Sequence, residues 1–193
     1  MGKEVFVNSP LTILGIPGSL RRASYNRAAL RAAQELAPED ARIEVFELDG
    51  IPPYNQDEEG QPPARVSLLK SRIRAADAIL LVTPEYNYSL PGVLKNAIDW
   101  ASRPYEDNSW AGKPVAVMGA SSGAQGTARA QYHLRQVFVF LEMLPLNKPE
   151  VMIADASHRF DPQGNLTDEN TRKHIERLLE SLVAWTRRLE HKK

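Results

Sequence analysis

Three short segments of the 193-residue chain gather the hydroxyls, amides, tyrosines and glycines that can hold a ligand. One of them, Pro84-Glu85-Tyr86-Asn87-Tyr88-Ser89-Leu90-Pro91, follows directly on the apolar run 78–83. Tyr86 and Tyr88 offer stacking faces, the Asn87 amide offers in-plane hydrogen bonds, and Pro84 and Pro91 act as rigid brackets. A flat heteroaromatic ring needs this set. The competing reading is that both tyrosines pack on neighbouring loops or on a partner subunit.

The second segment, 15–26, also joins an apolar run to a helix. Its N–H groups at a helix N-terminus, the hydroxyls of Ser19 and Ser24, the Asn26 amide and the Arg21 guanidinium can hold a phosphate. The helix dipole there is equivalent to about half a positive charge. The segment lacks the Gly-Lys-Ser/Thr ending of a Walker loop and has only Gly15 and Gly18 of a three-glycine dinucleotide fingerprint. Its alternative is an ordinary turn capped by Ser24. The third segment, 119–127, contains Ser121 and Gly123 and is small enough for a backbone to lie close against a ligand, with N–H groups ready for a carbonyl or a developing anion.

Other chemistries find little support. The chain has no cysteine, which removes disulfides, thiolate catalysis and Cys-type metal sites, so redox work would need a cofactor. Histidines 133, 158, 174 and 191 lack metal-ligand spacing, so no metal site is expected, and no Gly-x-Ser-x-Gly elbow is present. Basic and acidic residues balance at 24 each, which gives no electrostatic footprint for nucleic acid or an anionic membrane. No basic region precedes an apolar stretch at the N-terminus, and no apolar stretch approaches the roughly 20 residues that cross a bilayer. The expectation is a soluble cytoplasmic protein.

The elements that would position these segments alternate. Apolar runs predict strands at 11–16, 42–48, 78–83, 114–119 and 151–153. Helical periodicity predicts helices at 26–36, 64–75, 92–101, 127–144 and 167–189, the last capped by Thr167 with Leu166 as a staple. Residues 137–141 are apolar nearly all round, which predicts burial on every side. The proline-rich stretch 51–63 reads as a long loop, functional or mobile. Five alternations give one α/β domain over residues 1–193, a five-stranded parallel sheet with helices on both faces, and ligands outside the carboxyl ends of its strands.

The residues Gly18-Ser19-Leu20-Arg21 with Ser24 and Asn26, the run from Pro84 to Ser89 continuing through Pro91-Gly92 to Asp99-Trp100, and the run 121–126 followed by 129–136 resemble the NAD(P)H-dependent FMN reductases. This is a family of flavodoxin-like, three-layer doubly wound fold, and the likeness is to its bacterial quinone and chromate reductase branch, which has azoreductase-like members. The resemblance implies bound FMN with NADPH or NADH as cosubstrate. It places the phosphate on Ser19, Leu20, Arg21, Ser24, Tyr25 and Asn26, the ring on Pro84, Glu85, Tyr86, Asn87 and Tyr88, and the pyrimidine end near Ser121 and Gly123. It further implies a homodimer or homotetramer, with 137–141 and 95–100 as interface segments. Ping-pong reduction of quinones, chromate, azo compounds or ferric species would need no protein acid or base, so no catalytic side chain is expected. Gly126-Thr127-Ala128-Arg129 departs from the Gly-Gly of many relatives. A flavodoxin-type electron carrier is the alternative, though such carriers use strong charge to steer docking.

Overall fold

The computed structural model describes residues 9–190. Six strands, β1 (Leu11–Pro17), β2 (Ala41–Val45), β3 (Ala78–Val82), β4 (Pro114–Ala120), β5 (Leu144–Pro145) and β6 (Val151–Ile153), form one sheet of order β2-β1-β3-β4-β5, with β6 also on β4. Every pairing is parallel. Every residue of β3 is wholly buried, as expected of a central strand covered on both faces. Alternation along β1 sends Leu11 and Ile13 to one core and Leu14 and Ile16 to the other. Helices α1 (Tyr25–Glu35) and α5 (Glu169–Glu190) cover the first face; α2 (Ala64–Ala75), α3 (Gly92–Ala101) and α4 (Ala128–Phe140) cover the second.

The doubly wound parallel architecture agrees with the sequence reading, and several details differ. The fifth sheet position is shared by two fragments: β5 pairs with the start of β4 and β6 with its end. Pro149 between them has no N–H for a ladder and keeps them apart. Helix α4 stops at Phe140 rather than running to 144, because Glu142 takes a left-handed conformation (φ 55°) and Leu144 is drawn into β5. Phe138 and Leu141 are buried, but Val139 and Phe140 are 79% and 69% exposed, so the stretch is not enclosed on every side in this chain.

Helix α5 is capped by Asp168, not Thr167. Asp168 Oδ2 accepts from Thr171 N at 2.8 Å, whereas the Thr167 hydroxyl donates to Arg159 O. The long loop 51–63 contains one 3-10 turn, Gln56–Glu58, and is stapled to α3: Trp100 Nε1 and Asn96 Nδ2 both donate to Pro52 O, and Tyr54 N donates to Asn96 Oδ1. Trp100 lies buried beneath that loop, so it cannot serve as a subunit contact. His191 lies outside the described residues.

Two outcomes follow from these contacts. A Cβ at Gly119 would collide with Thr83 O and Thr127 Oγ1, so Gly119→Ala is expected to cost about 1–3 kcal/mol or more in urea unfolding. The hydrogen bonds from Thr171, then the Arg159 guanidinium, hold the Asp168 carboxyl below its ordinary value of 3.8. A depressed native pKa contributes stability above the unfolded value and loses it as pH falls through the native one. Asp168→Asn is therefore expected to flatten the fall in stability below about pH 4, read from unfolding curves across the acid range.

Candidate flavin-binding site

The three ligand-competent segments leave the sheet at one level. Pro17 pairs with Val82, Val82 with Met118, and Ala120 with Ile153, so the carboxyl ends of β1, β3, β4 and β6 form a single edge. The ladder continues into each loop: Gly18 N donates to Val82 O at 2.8 Å, Thr83 N to Met118 O at 3.0 Å and Ser121 N to Ile153 O at 3.0 Å. At that edge an open parallel sheet leaves strand-end peptides free for ligands. At Gly18 the first loop touches the second, since a Cβ there would meet Pro84 Cδ at 3.2 Å and Pro91 Cγ at 3.3 Å.

In the loop 18–26 the side chains chosen from the sequence are largely committed to the protein. Asn26 is buried, and its amide closes two hydrogen bonds with the backbone of one residue, Nδ2 to Ala120 O at 2.9 Å and Oδ1 from Ala120 N at 2.8 Å. It ties the start of α1 to the end of β4. Ser24 Oγ caps α1 by accepting from Asn26 N, and Ser19 Oγ accepts from Arg21 N. The backbone remains available: N–H groups of Ser19, Leu20, Arg22 and Ala23 donate to nothing among the described residues. Arg21, Arg22 and Arg31 line a groove of ≈ 510 Å³ beside this loop together with Tyr25. Clustered N–H groups, a helix N-terminus and three guanidinium groups suit a dianionic phosphate.

The loop 84–91 folds as a tight hairpin. Tyr86 and Ser89 exchange both backbone hydrogen bonds, at 2.9 and 3.0 Å. Asn87 and Tyr88 both have positive φ, 50° and 67°, the signature of a type I′ turn. Asparagine tolerates this conformation; a tyrosine there costs roughly 1–2 kcal/mol. Tyr86, Asn87 and Tyr88 are exposed and Pro84 is buried. The N–H groups of Glu85, Asn87 and Tyr88 donate to nothing among the described residues.

Glu85 is turned towards the start of α4. Oε2 accepts from Arg129 N at 3.0 Å and Ala130 N at 3.2 Å, and Oε1 from Arg129 Nε at 2.5 Å. That hydrogen bond is the first cause raising the Arg129 guanidinium above its ordinary value. The Arg129 guanidinium also lies 3.7 Å from the Tyr88 ring centroid, and Ser89 Oγ meets His133 Nδ1 at 2.9 Å. Arg129 and His133, at i,i+4 spacing on α4, are both set against the hairpin.

The loop 120–126 is laced to residues 153–156, with Ala156 N donating to Ser121 O at 3.0 Å. Gly123 N donates to Ser121 Oγ at 3.1 Å, and the N–H groups of Ser122, Ala124 and Gln125 find no acceptor among the described residues. Gly126 has φ 57° with the Met152 backbone behind it. The edge therefore offers free N–H donors in three clusters, flanked by exposed tyrosines and a basic groove. Those groups fit a phosphate at one end and a polar ring edge at the other. Among the described residues no cluster of His, Asp or Glu is suited to a metal ion. Asn26→Ala orphans the N–H and the C=O of Ala120 at about 1–3 kcal/mol for each buried group. A drop of that size in urea unfolding is expected, with weakened FMN binding by fluorescence titration.

Comparison with known proteins accords with this geometry. A family model for NADPH-dependent FMN reductases matches residues 11–158. An NAD(P)H-dependent FMN reductase of Pseudomonas aeruginosa is 56% identical over 185 residues, covering 95% of this chain and 99% of that one. A 2-hydroxy-1,4-benzoquinone reductase of a Burkholderia species is 45% identical, over 92% of this chain and 97% of its own. Among solved structures, a flavoenzyme NAD(P)H:acceptor oxidoreductase from Paracoccus denitrificans superposes with a TM-score of 0.85 at 38% identity, covering 92% of this chain and 98% of that one. The chain belongs to the NADPH-dependent FMN reductase family, NAD(P)H-dependent oxidoreductases with FMN as cofactor.

Proposed function

We propose that the chain is an NAD(P)H:quinone oxidoreductase working through FMN held at the carboxyl edge of the sheet. The observation that carries this reading is the three clusters of unused backbone N–H groups at one level, with a basic groove at the α1 end. In this reading the N–H groups of Ser19, Leu20, Arg22 and Ala23, with Arg21, hold the phosphate, and Ser24, Tyr25 and Asn26 shape that loop. Pro84, Glu85, Tyr86, Asn87 and Tyr88 form the ring wall, and Ser121 and Gly123 shape the loop at the pyrimidine end, where Ser122, Ala124 and Gln125 hold the unpaired N–H donors. FMN held by these residues would supply two-electron chemistry between NAD(P)H and a quinone: the two electrons and one proton of the hydroquinone would derive from the nicotinamide hydride and the second proton from water.

The protein's share is alignment and electrostatics. Donors fixed at the glycine loop favour the negative charge that reduction builds, and the open side of the cleft admits donor and acceptor in turn. Such sharing of one face gives ping-pong kinetics. Chromate, azo compounds and ferric species are acceptors of the same kind. A one-electron carrier fits less well, because a formal net charge of zero provides no steering field for a protein partner.

In the same reading residues 1–193 form one FMN-binding domain in the cytoplasm, and no helix of the described residues is long and apolar enough to cross a membrane. The exposed side chains Tyr132, Val139 and Phe140 of α4, with Tyr105 edge-on to Phe140 at 6.4 Å, give a second copy of the chain an apolar surface to cover. That stripe supports a homodimer, with pairing into a tetramer.

Anaerobic addition of NADPH to the FMN-loaded protein is expected to bleach the flavin absorbance within one turnover, and initial rates with a simple quinone should give parallel double-reciprocal lines. A flavin that stays oxidised in NADPH yet accepts single electrons from a reduced protein would contradict the enzyme and favour the carrier.

A further inference from the structure

Helix α4 begins without a cap of its own. Thr127 occupies the N-cap position, yet its Oγ1 makes no cap hydrogen bond and instead accepts from Gln131 Nε2 at 3.0 Å. No acidic residue stands in the first turn. The first N–H groups of a helix have no intrahelical partner, and leaving them dry is costly. In this protein the acceptor comes from another loop. Glu85, whose side chain is 6% exposed, takes the N–H groups of both Arg129 and Ala130 and holds the Arg129 guanidinium as well.

We infer that Glu85 is a positioning residue, whose carboxylate caps α4 from the opposite loop and thereby fixes the separation of the two walls between which the flavin ring is proposed to lie. The hairpin 84–91 is one wall. The loop 120–126, covalently continuous with α4, is the other. Two further contacts work in the same direction along successive turns of α4: Arg129 against the Tyr88 ring and His133 against Ser89. The left-handed pair Asn87 and Tyr88 makes such bracing necessary, because a turn with a tyrosine at positive φ persists only where its surroundings over-determine it.

The wall-fixing role is independent of any ligand, and its consequence for the ring rests on the function proposed above, so the test has two arms. The variants are Glu85→Gln, which keeps the shape and one acceptor, and Glu85→Ala. The control is Asp168→Ala, which removes the cap of α5 on the other face of the sheet. In the first arm, amide hydrogen exchange of the protein without flavin is expected to speed up by about tenfold or more in both 84–90 and 120–127 for the Glu85 variants. Neither segment should change in the control. In the second arm, FMN affinity is expected to fall by about tenfold, equivalent to about 1.4 kcal/mol. Glu85→Gln should recover part of that loss, and the control should stay within about twofold of wild type.

Faster exchange confined to the first turn of α4, with 84–90 unchanged, would overturn the inference. Equal losses of FMN affinity in the control and the Glu85 variants would also overturn it. Should Glu85→Ala fail to fold, Glu85→Gln decides both arms. A wild-type protein that takes up no FMN would sink the functional reading while leaving the exchange result to judge the wall-fixing role.

Discussion

Everything at this site depends on strands that stop together. A parallel sheet held in register by Pro17 opposite Val82, Val82 opposite Met118 and Ala120 opposite Ile153 delivers its connecting loops to one edge. The Asn26 amide then fixes the level of α1 against β4 by pairing with both the N–H and the C=O of Ala120. Hydrogen bonds between a buried amide and a strand end tolerate little displacement, so the phosphate loop and the glycine loop keep one geometry. Gly18 against Pro84 and Pro91 adds the hairpin to the same body.

Within that frame the side chains and the backbone divide the work. Ser19, Ser24, Asn26 and Glu85 have hydrogen bonds inside the protein, where they shape loops and cap helices. The peptide N–H groups those loops would otherwise bury stay unpaired at the edge. Donors fixed by a rigid backbone need no reorganisation when charge appears near them, which is the property a redox cofactor demands of its surroundings. The strain of Tyr88 at positive φ sits in the same place, held by the Arg129 guanidinium. Strained residues that persist beside a cleft are a mark of function rather than of stability.

Much of this was legible in the residues. The wholly apolar run of β3 and the alternation of strands with amphipathic helices carry the fold, because burial on both faces leaves no other reading for such runs. Loop composition marked all three segments of the edge. What could not be read was which atom of each residue the ligand would meet. The Asn26 amide suits a phosphate and a backbone pair alike, and only the position of Ala120, 94 residues away, shows that its side chain is engaged within the protein. Glu85 looked like a ring-side group for the same reason. A faint trace of its partner was present: α4 opens on Thr127 with no acid in its first turn, a helix start that needs a charge from elsewhere. The ends of α4 and α5 slipped by a few residues because Glu142 and Asp168 act through backbone reversal and capping, which hydrophobic periodicity does not report.

The measurement closest to the central claim is a two-dimensional amide NMR titration of the apoprotein with FMN. The account expects shifts and slowed exchange confined to the unpaired amides of the edge: Ser19, Leu20, Arg22 and Ala23, then Glu85, Asn87 and Tyr88, then Ser122, Ala124 and Gln125. Large perturbations at the opposite end of the sheet, around Asp77 and Lys113, with these amides unmoved, would contradict it.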